Sequence, residues 1–313
     1  MPGRLGKSIG SLFAAAFVAL ITILPHRPAY LAARGAVRLV VFFIPRLRKT
    51  GRRNLERVFP ELEPVQREEI LDASLNVFAS NMLHLARIRK MDREYLRAQS
   101  NIEQIVPLYQ ATRRISGEKG LLFISAHFGD FEMLMPFKGY FCGGGVGVAR
   151  PFGMPLLDRI WNARREVSAS RILSRGGAFR EVLAAIRQGS DACMLFDQNV
   201  KRNHAVFSNL FGIPAATAGS AALAALRSDV PILFATVKTI TPLDREPKFH
   251  FHLEHIPTDD LKNIESTEEK VREITDRLHA ALEKQIRIDP KQWFWIHRRF
   301  KTRPAGEPET FYD

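Results

Sequence analysis

The sequence predicts an α/β fold: a central, mostly parallel β-sheet flanked by helices, carried behind an N-terminal membrane-anchoring helix. Three observations point to it. Short apolar runs alternate with helix-period segments after residue 60, residues 8–24 carry no charge, and cations crowd around that uncharged stretch. Strands alternating with helices favour a parallel sheet covered on both faces.

At 313 residues, the chain has about twice the typical domain length of roughly 150. A hydrophobic share of 46% with 25% charged residues excludes a disordered or fibrous chain. The stretch 8–24 (SIGSLFAAAFVALITIL) is bracketed by Arg4 and Lys7 before it and by His26 and Arg27 after it. A spanning helix needs roughly 17–25 apolar residues, so this one meets the short limit. A cleaved signal peptide would need a small-residue exit, which Pro25-His26-Arg27-Pro28 does not offer. A buried core helix is the plain alternative, and the flanking cations favour an uncleaved anchor. The next run, 36–45 (AVRLVVFFIP), is too short to span and carries Arg38, so it reads as an interfacial segment facing anionic headgroups.

The net charge of +13 is regional. Residues 1–60 hold eleven Lys or Arg against the single acid Glu56, which places +10 in this fifth of the chain and leaves +3 elsewhere. The longer cationic cluster follows the anchor, which favours a cytoplasmic main domain. Residues 1–50 therefore read as membrane anchor and interfacial basic segment, and residues 51–313 as the main domain.

Along that domain, 62–88 reads as helical, with Leu71, Leu75, Phe78, Met82 and Leu85 recurring at three and four residues. Strands are expected at 120–125, 146–149, 192–196, 231–237 and 249–253. Helices are expected from Glu132 onward and at 155–168, 178–188, 219–226 and 267–286. Cys142 and Cys193 stand alone, without a C-x-x-C partner, so no zinc site or disulfide framework is signalled.

The chemistry begins after the first strand. SAHFGDFE at 125–132 places His127 on a strand-to-helix turn and Glu132 in the first helical turn. Positions five apart on one helix differ by about 140° and would not meet. A turn eased by Gly129 lets the carboxylate reach back, making a general base with a fixed tautomer. A polar turn capping a helix fits the same residues.

The segment resembles the H-x4-D/E motif of the glycerolipid acyltransferases. It is more similar to the lipid A late acyltransferases, the lauroyl and myristoyl transferases that complete bacterial lipopolysaccharide. Four further blocks fall in that family's order: GRRNLERVFPEL (51–62), VARPFGMPLLDRIWNARRE (148–166), RGGAFREVLAAIRQGSDACMLFDQN (175–199) and WFWIHRRFKTRP (293–304). Phe128 and Asp130 depart from a common Trp and Asn, and Asn199 extends the Asp-Gln pair.

The resemblance implies a glycerol-3-phosphate-acyltransferase-like fold over 51–313. It also implies transfer of an acyl chain from acyl carrier protein to a hydroxyl of a lipid A precursor, at the cytoplasmic face of a bacterial inner membrane, with no cofactor or metal. His127 would be the base, Glu132 its orienting partner and Arg164 a cation for the tetrahedral oxyanion. Arg150 would meet an acceptor phosphate or shape the site, with a surface salt bridge as the plain alternative, and Asp197, followed by Gln198, would hold an arginine such as Arg164 or Arg150 in place or simply cap the next segment. Arg298 and Arg299 belong to a basic aromatic terminus suited to headgroups or to acidic carrier protein. Residues 207–226 (FSNLFGIPAATAGSAALAAL) could line an acyl-chain groove or simply pack in the core. Two other readings share these residues. One is a related acyltransferase using acyl-CoA on a phospholipid or phosphatidylinositol mannoside. The other is a non-catalytic basic protein bound to a membrane, or to nucleic acid, for which no recognition motif is present.

Overall fold

The computed structural model describes residues 4–151, 153–174, 176–308 and 310–312, with backbone alone for 4–9. Helices α1 (Arg4–Ile23), α2 (His26–Phe43) and α3 (Pro45–Val58) precede the longer α4 (Pro64–Arg87). Proline sets these limits: Pro45 and Pro64 occupy first turns, where a missing N–H costs no intrahelical bond. The N–H of Glu63 donates to Gln66 Oε1 at 2.9 Å, closing the start of α4. Next come α5 (Arg93–Ala98) and α6 (Ile102–Ile115).

The alternating part runs β1 (Leu122–Gly129), α7 (Leu134–Phe141), β2 (Gly145–Ala149), α8 (Pro155–Arg165), β3 (Ser170–Ser174), α9 (Ala178–Arg187) and β4 (Ala192–Leu195). It continues through β5 (Ala205–Leu210), β6 (Ile213–Ala218), α10 (Ser220–Ser228), β7 (Ile232–Thr239), β8 (Phe249–Ile256) and α11 (Thr267–Ile288). The main sheet among the described residues has the order β3-β2-β4-β1-β7-β8, and β8 is its antiparallel edge. The expected mostly parallel sheet is present: β1 runs parallel to both β4 and β7, and β2 to both β3 and β4. Helices cover both faces, because successive β1 side chains enter different cores. Leu122, Ile124, Ala126 and Phe128 pack with α9, α10 and α11, while Phe123 packs with Phe137 of α7 and Phe251 of β8.

Strand edges differ from the sequence expectation chiefly at β1, which runs four residues beyond Ser125 and so includes His127. Residues 207–226 fold as the end of β5, β6 and α10, with Leu210, Ala215, Ala216, Ala221 and Ala222 buried in the core. The boundary expected after residue 50 falls inside α3.

No single helix among the described residues is long and apolar enough to cross a membrane. α1 turns Val18 and Ile21 into the domain and leaves Leu12, Phe13, Leu20 and Ile23 exposed. Its C-terminal end is tied down by cations, which suit the negative end of a helix. The Arg87 guanidinium donates to the carbonyls of Ile21 (2.9 Å), Leu24 and Pro25 (3.3 Å), and Lys90 Nζ donates to that of Thr22 (2.7 Å). α2 and α3 bend by 93° at Ile44 and Pro45, and both dock on α4.

Replacing Arg87 with Ala removes the donors that hold α1. A cost of about 1–3 kcal/mol is expected. Amide hydrogen exchange across α1 should accelerate accordingly, followed by mass spectrometry of peptides covering residues 10–23.

Candidate active site

The carboxyl ends of β1 and β4 meet where the outgoing connections diverge, the position at which open α/β sheets gather ligands. From Ser125 to Gly129 β1 advances four residues while β7 advances two, from Ala235 to Val237. The surplus bulges out, and His127 rides on it, re-aimed off the sheet face. Gly129 closes the bulge with φ of +57°; a Cβ there would lie 2.1 Å from the Val237 carbonyl oxygen.

His127 is fixed by Asp197, which follows β4. Its Nδ1 lies 2.8 Å from Asp197 Oδ1, and its backbone N–H donates to Oδ2 at 3.0 Å. The Trp293 indole N–H also donates to Oδ2, at 3.0 Å, and the Phe294 N–H donates to the His127 carbonyl at 3.1 Å. These contacts place the proton on Nδ1 and leave the Nε2 lone pair outward. There the amide nitrogen of exposed Gln198 donates to Nε2 at 3.2 Å. Phe131 lies edge-on to the imidazole at 5.0 Å and Phe294 is tilted to it at 6.2 Å. Burial would raise the Asp197 carboxyl, but His127 and the converging N–H donors hold it far below the usual carboxylate range. Burial works to lower His127, and the Asp197 charge outweighs it, so the imidazole titrates above its ordinary value.

Glu132 does not hydrogen-bond to His127, contrary to the pairing expected from the motif. Its carboxylate receives Arg165 in a fork, Nε to Oε2 at 2.8 Å and Nη2 to Oε1 at 2.6 Å. Its backbone N–H donates to Asn81 Oδ1 of α4 at 3.4 Å. The reason is geometric: the bulge turns His127 toward β4, while Glu132, in the middle of a 3-10 turn (Phe131–Met133), faces α8. Arg164, expected beside the site, points elsewhere on α8. Its guanidinium bonds the Ala86 carbonyl and lies 3.5 Å from Thr22 Oγ1. Neighbouring positions on a helix differ by about 100°, so only one of the two arginines can face Glu132.

The remaining expected residues divide. Asp197 holds a histidine and a tryptophan instead of an arginine. Gln198 stands against the base. Arg150 is exposed just past β2, on the same edge of the sheet. Arg299, expected at a surface for headgroups or carrier protein, is 1% exposed and bonds the Ala216 carbonyl, Thr217 Oγ1 and His279 Nε2. Burial brings its pKa down to about 10. Arg298 lays its guanidinium over the Tyr312 ring at 4.9 Å. The basic aromatic terminus is thus largely scaffold: Trp293, Trp295 and Phe300 are buried and carry the indole that bonds Asp197. Arg165 and Trp293 are the functional neighbours that sequence reasoning passed over. Arg165 adjoins the arginine that was singled out, and Trp293 lies in a block already noted.

The arrangement offers a neutral imidazole with an outward lone pair, polarised by a buried carboxylate, beside a carboxylate-anchored guanidinium. It suits proton removal from a hydroxyl and charge stabilisation nearby.

Residues 4–302 match the family profile described as bacterial lipid A biosynthesis acyltransferase. The chain is 25% identical to the lipid A biosynthesis lauroyltransferase of Escherichia coli K12, covering 93% of this chain and 91% of that one. It is 23% identical to the palmitoleoyltransferase of the same organism, over 86% and 83% of the two chains. A lipid A biosynthesis acyltransferase of Haemophilus influenzae is 25% identical, over 84% and 80%.

Asp197→Asn removes the charge that raises His127 and leaves the burial that lowers it. A base works only when neutral, so kcat/KM should rise with pH through a limb above about 6.5 in the native protein. In the variant that limb should move to lower pH while kcat falls about 10²- to 10⁴-fold. A pH–rate series on both proteins checks the shift and the loss together.

Proposed function

The chain belongs to the bacterial lipid A biosynthesis acyltransferase family, and from that premise we propose that it moves a fatty acyl chain from the thioester of acyl carrier protein to a hydroxyl of a lipid A precursor. The observation that carries this reading is the His127–Asp197 pair, with Nε2 turned to the carboxyl edge of the sheet. The acceptor hydroxyl takes the place of the Gln198 amide and gives its proton to Nε2. Its oxygen attacks the thioester carbonyl to form a tetrahedral oxyanion. Collapse expels the carrier thiolate, which takes the proton back from the imidazolium and leaves as a thiol. Asp197 supports the imidazolium while it exists. Arg165, held by Glu132, supplies the positive charge beside the oxyanion, the role first expected of Arg164. Arg150 stands where a phosphate of the acceptor would approach.

The substrate is a lipid, and the same reading seats the protein on the cytoplasmic face of a bacterial inner membrane. The bend between α2 and α3 supplies the contact. Phe42, Phe43 and Ile44 are 75%, 72% and 45% exposed at its tip. Arg38, Arg46 and Lys49 are exposed beside them and, among the described residues, join no ion pair. An apolar tip ringed by cations suits an anionic interface. With α2 and α3 both docked on α4, the bend dips into one leaflet instead of crossing both.

Purified protein should transfer acyl chains from acyl carrier protein to a lipid A precursor. His127→Ala or Glu132→Ala should lose about 10²- to 10⁴-fold in rate. Native-like turnover in both variants would overturn the mechanism, and mass spectrometry of lipid A from a deletion strain identifies the missing chain.

Phe42→Ser with Phe43→Ser should weaken flotation with vesicles containing phosphatidylglycerol by about tenfold or more, since two aromatic side chains lose their burial. Turnover on detergent-dispersed substrate should be retained.

A further inference from the structure

A second histidine–carboxylate pair lies behind the motif, fully enclosed. His84 Nδ1 of α4 is 2.6 Å from Asp130 Oδ1, with side chains 0% and 1% exposed. The other oxygen of Asp130 accepts from the Thr239 hydroxyl at the end of β7. His84 Nε2 lies 3.5 Å from Ser80 Oγ, and the ring meets Phe249 edge-on at 5.2 Å. Asp130 stands three residues after His127 and two before Glu132. Its backbone N–H donates to the Val237 carbonyl at 2.8 Å.

We infer that His84 and Asp130 are positioning residues for the reaction: together they fix the spacing between His127 and the Glu132–Arg165 ion pair. The segment from 127 to 132 contains no complete helical turn and passes through a glycine in the left-handed region, so its own backbone does not hold its shape. Beyond the bonds at His127, four outside attachments do. β7 takes the Asp130 N–H and, through Thr239, one carboxylate oxygen, and α4 takes the other oxygen through His84 and the Glu132 N–H through Asn81. Only the Asp130 side chain joins both neighbouring elements at once. Burying such a polar pair is costlier than burying apolar residues of the same volume, so stability alone does not favour it. A geometric demand does, since a misplacement of about 1 Å at a reacting centre can cost about 10²-fold.

The inference rests on the reading of His127 and the Glu132–Arg165 pair as the reacting centre. His84→Leu removes the donor at equal bulk, whereas His84→Asn puts an amide nitrogen where Nδ1 stood. In steady-state acyl transfer, His84→Leu should lose about 10²-fold in kcat with KM for donor and acceptor within about twofold of native, and His84→Asn should recover most of it. A native kcat in His84→Leu, or equal losses in the Leu and Asn variants, overturns the inference. Should His84→Leu fail to fold by near-UV circular dichroism, Asp130→Asn replaces it. A kcat loss at constant KM then supports positioning, and a native kcat defeats it. Carbethoxylation of His127 by diethyl pyrocarbonate, followed by peptide mass spectrometry, reports the same geometry without turnover. Its rate should change in the Leu variant and return to native in the Asn variant. An inactive native protein would defeat the acyl-transfer reading, and the labelling comparison would still decide the positioning.

Discussion

One carboxylate brings the working edge of this protein to a point. Asp197 is 4% exposed and receives the imidazole and backbone N–H of His127 and the indole of Trp293. A charge removed from water to that degree persists only when its lone pairs are met. The donors come from two places distant in sequence, the bulge of β1 and the C-terminal segment, and meet the acceptor on the loop after β4. The T-shaped contact of Trp293 with Trp295 at 4.7 Å holds the indole, and Arg299 clamps the same segment to β6 and α11. The fold can be described as the frame that delivers three donors to Asp197.

A matching device stands at the other edge of the sheet. Asp191, at the start of β4, accepts the Leu121 N–H at 2.8 Å and faces buried Lys138 at 3.4 Å, whose ammonium sits 4.4 Å above the Phe123 ring. β4 is the shortest strand of the main sheet among the described residues, and a buried carboxylate adjoins each of its ends. Neighbouring strands are therefore pinned in register by side chains as well as by the ladder. Nearby charge also sets protonation elsewhere: burial, reinforced by the Arg299 charge, keeps His279 neutral.

Layering and the alternation of strands and helices along the chain were legible in the sequence because apolar periodicity reports burial directly. The runs at 192–196 and 231–237 became β4 and β7 with edges moved by one or two residues. β3, β5 and β6 were not legible: SRILS and AVFSNL are short and partly exposed, and carry no strong alternation. The site was half legible. His127, Glu132, Asp197 and Gln198 all gather at one edge, but their pairing depends on a bulge that no local pattern encodes. Helical phase decided between Arg164 and Arg165, and a shift of one residue lies below what motif spacing resolves. The C-terminal block misled because aromatic and cationic side chains look alike whether they face a lipid or a buried carboxylate. Only the chain path shows that Arg299 points inward.

The passage of α3 across residue 50 has a practical side. Thr50, Gly51, Asn54, Leu55 and Val58 are buried against α4 and the C-terminal segment, and Asn54 Nδ2 donates to the carbonyls of Trp295 (2.6 Å) and His297 (2.8 Å). The basic N-terminal part of the chain therefore also braces the segment that carries Trp293. Trimming the N-terminus to obtain a freely soluble enzyme would strip the back wall of the catalytic edge. Solubility is better sought by recolouring the outer surface of α1 and α2 residue by residue.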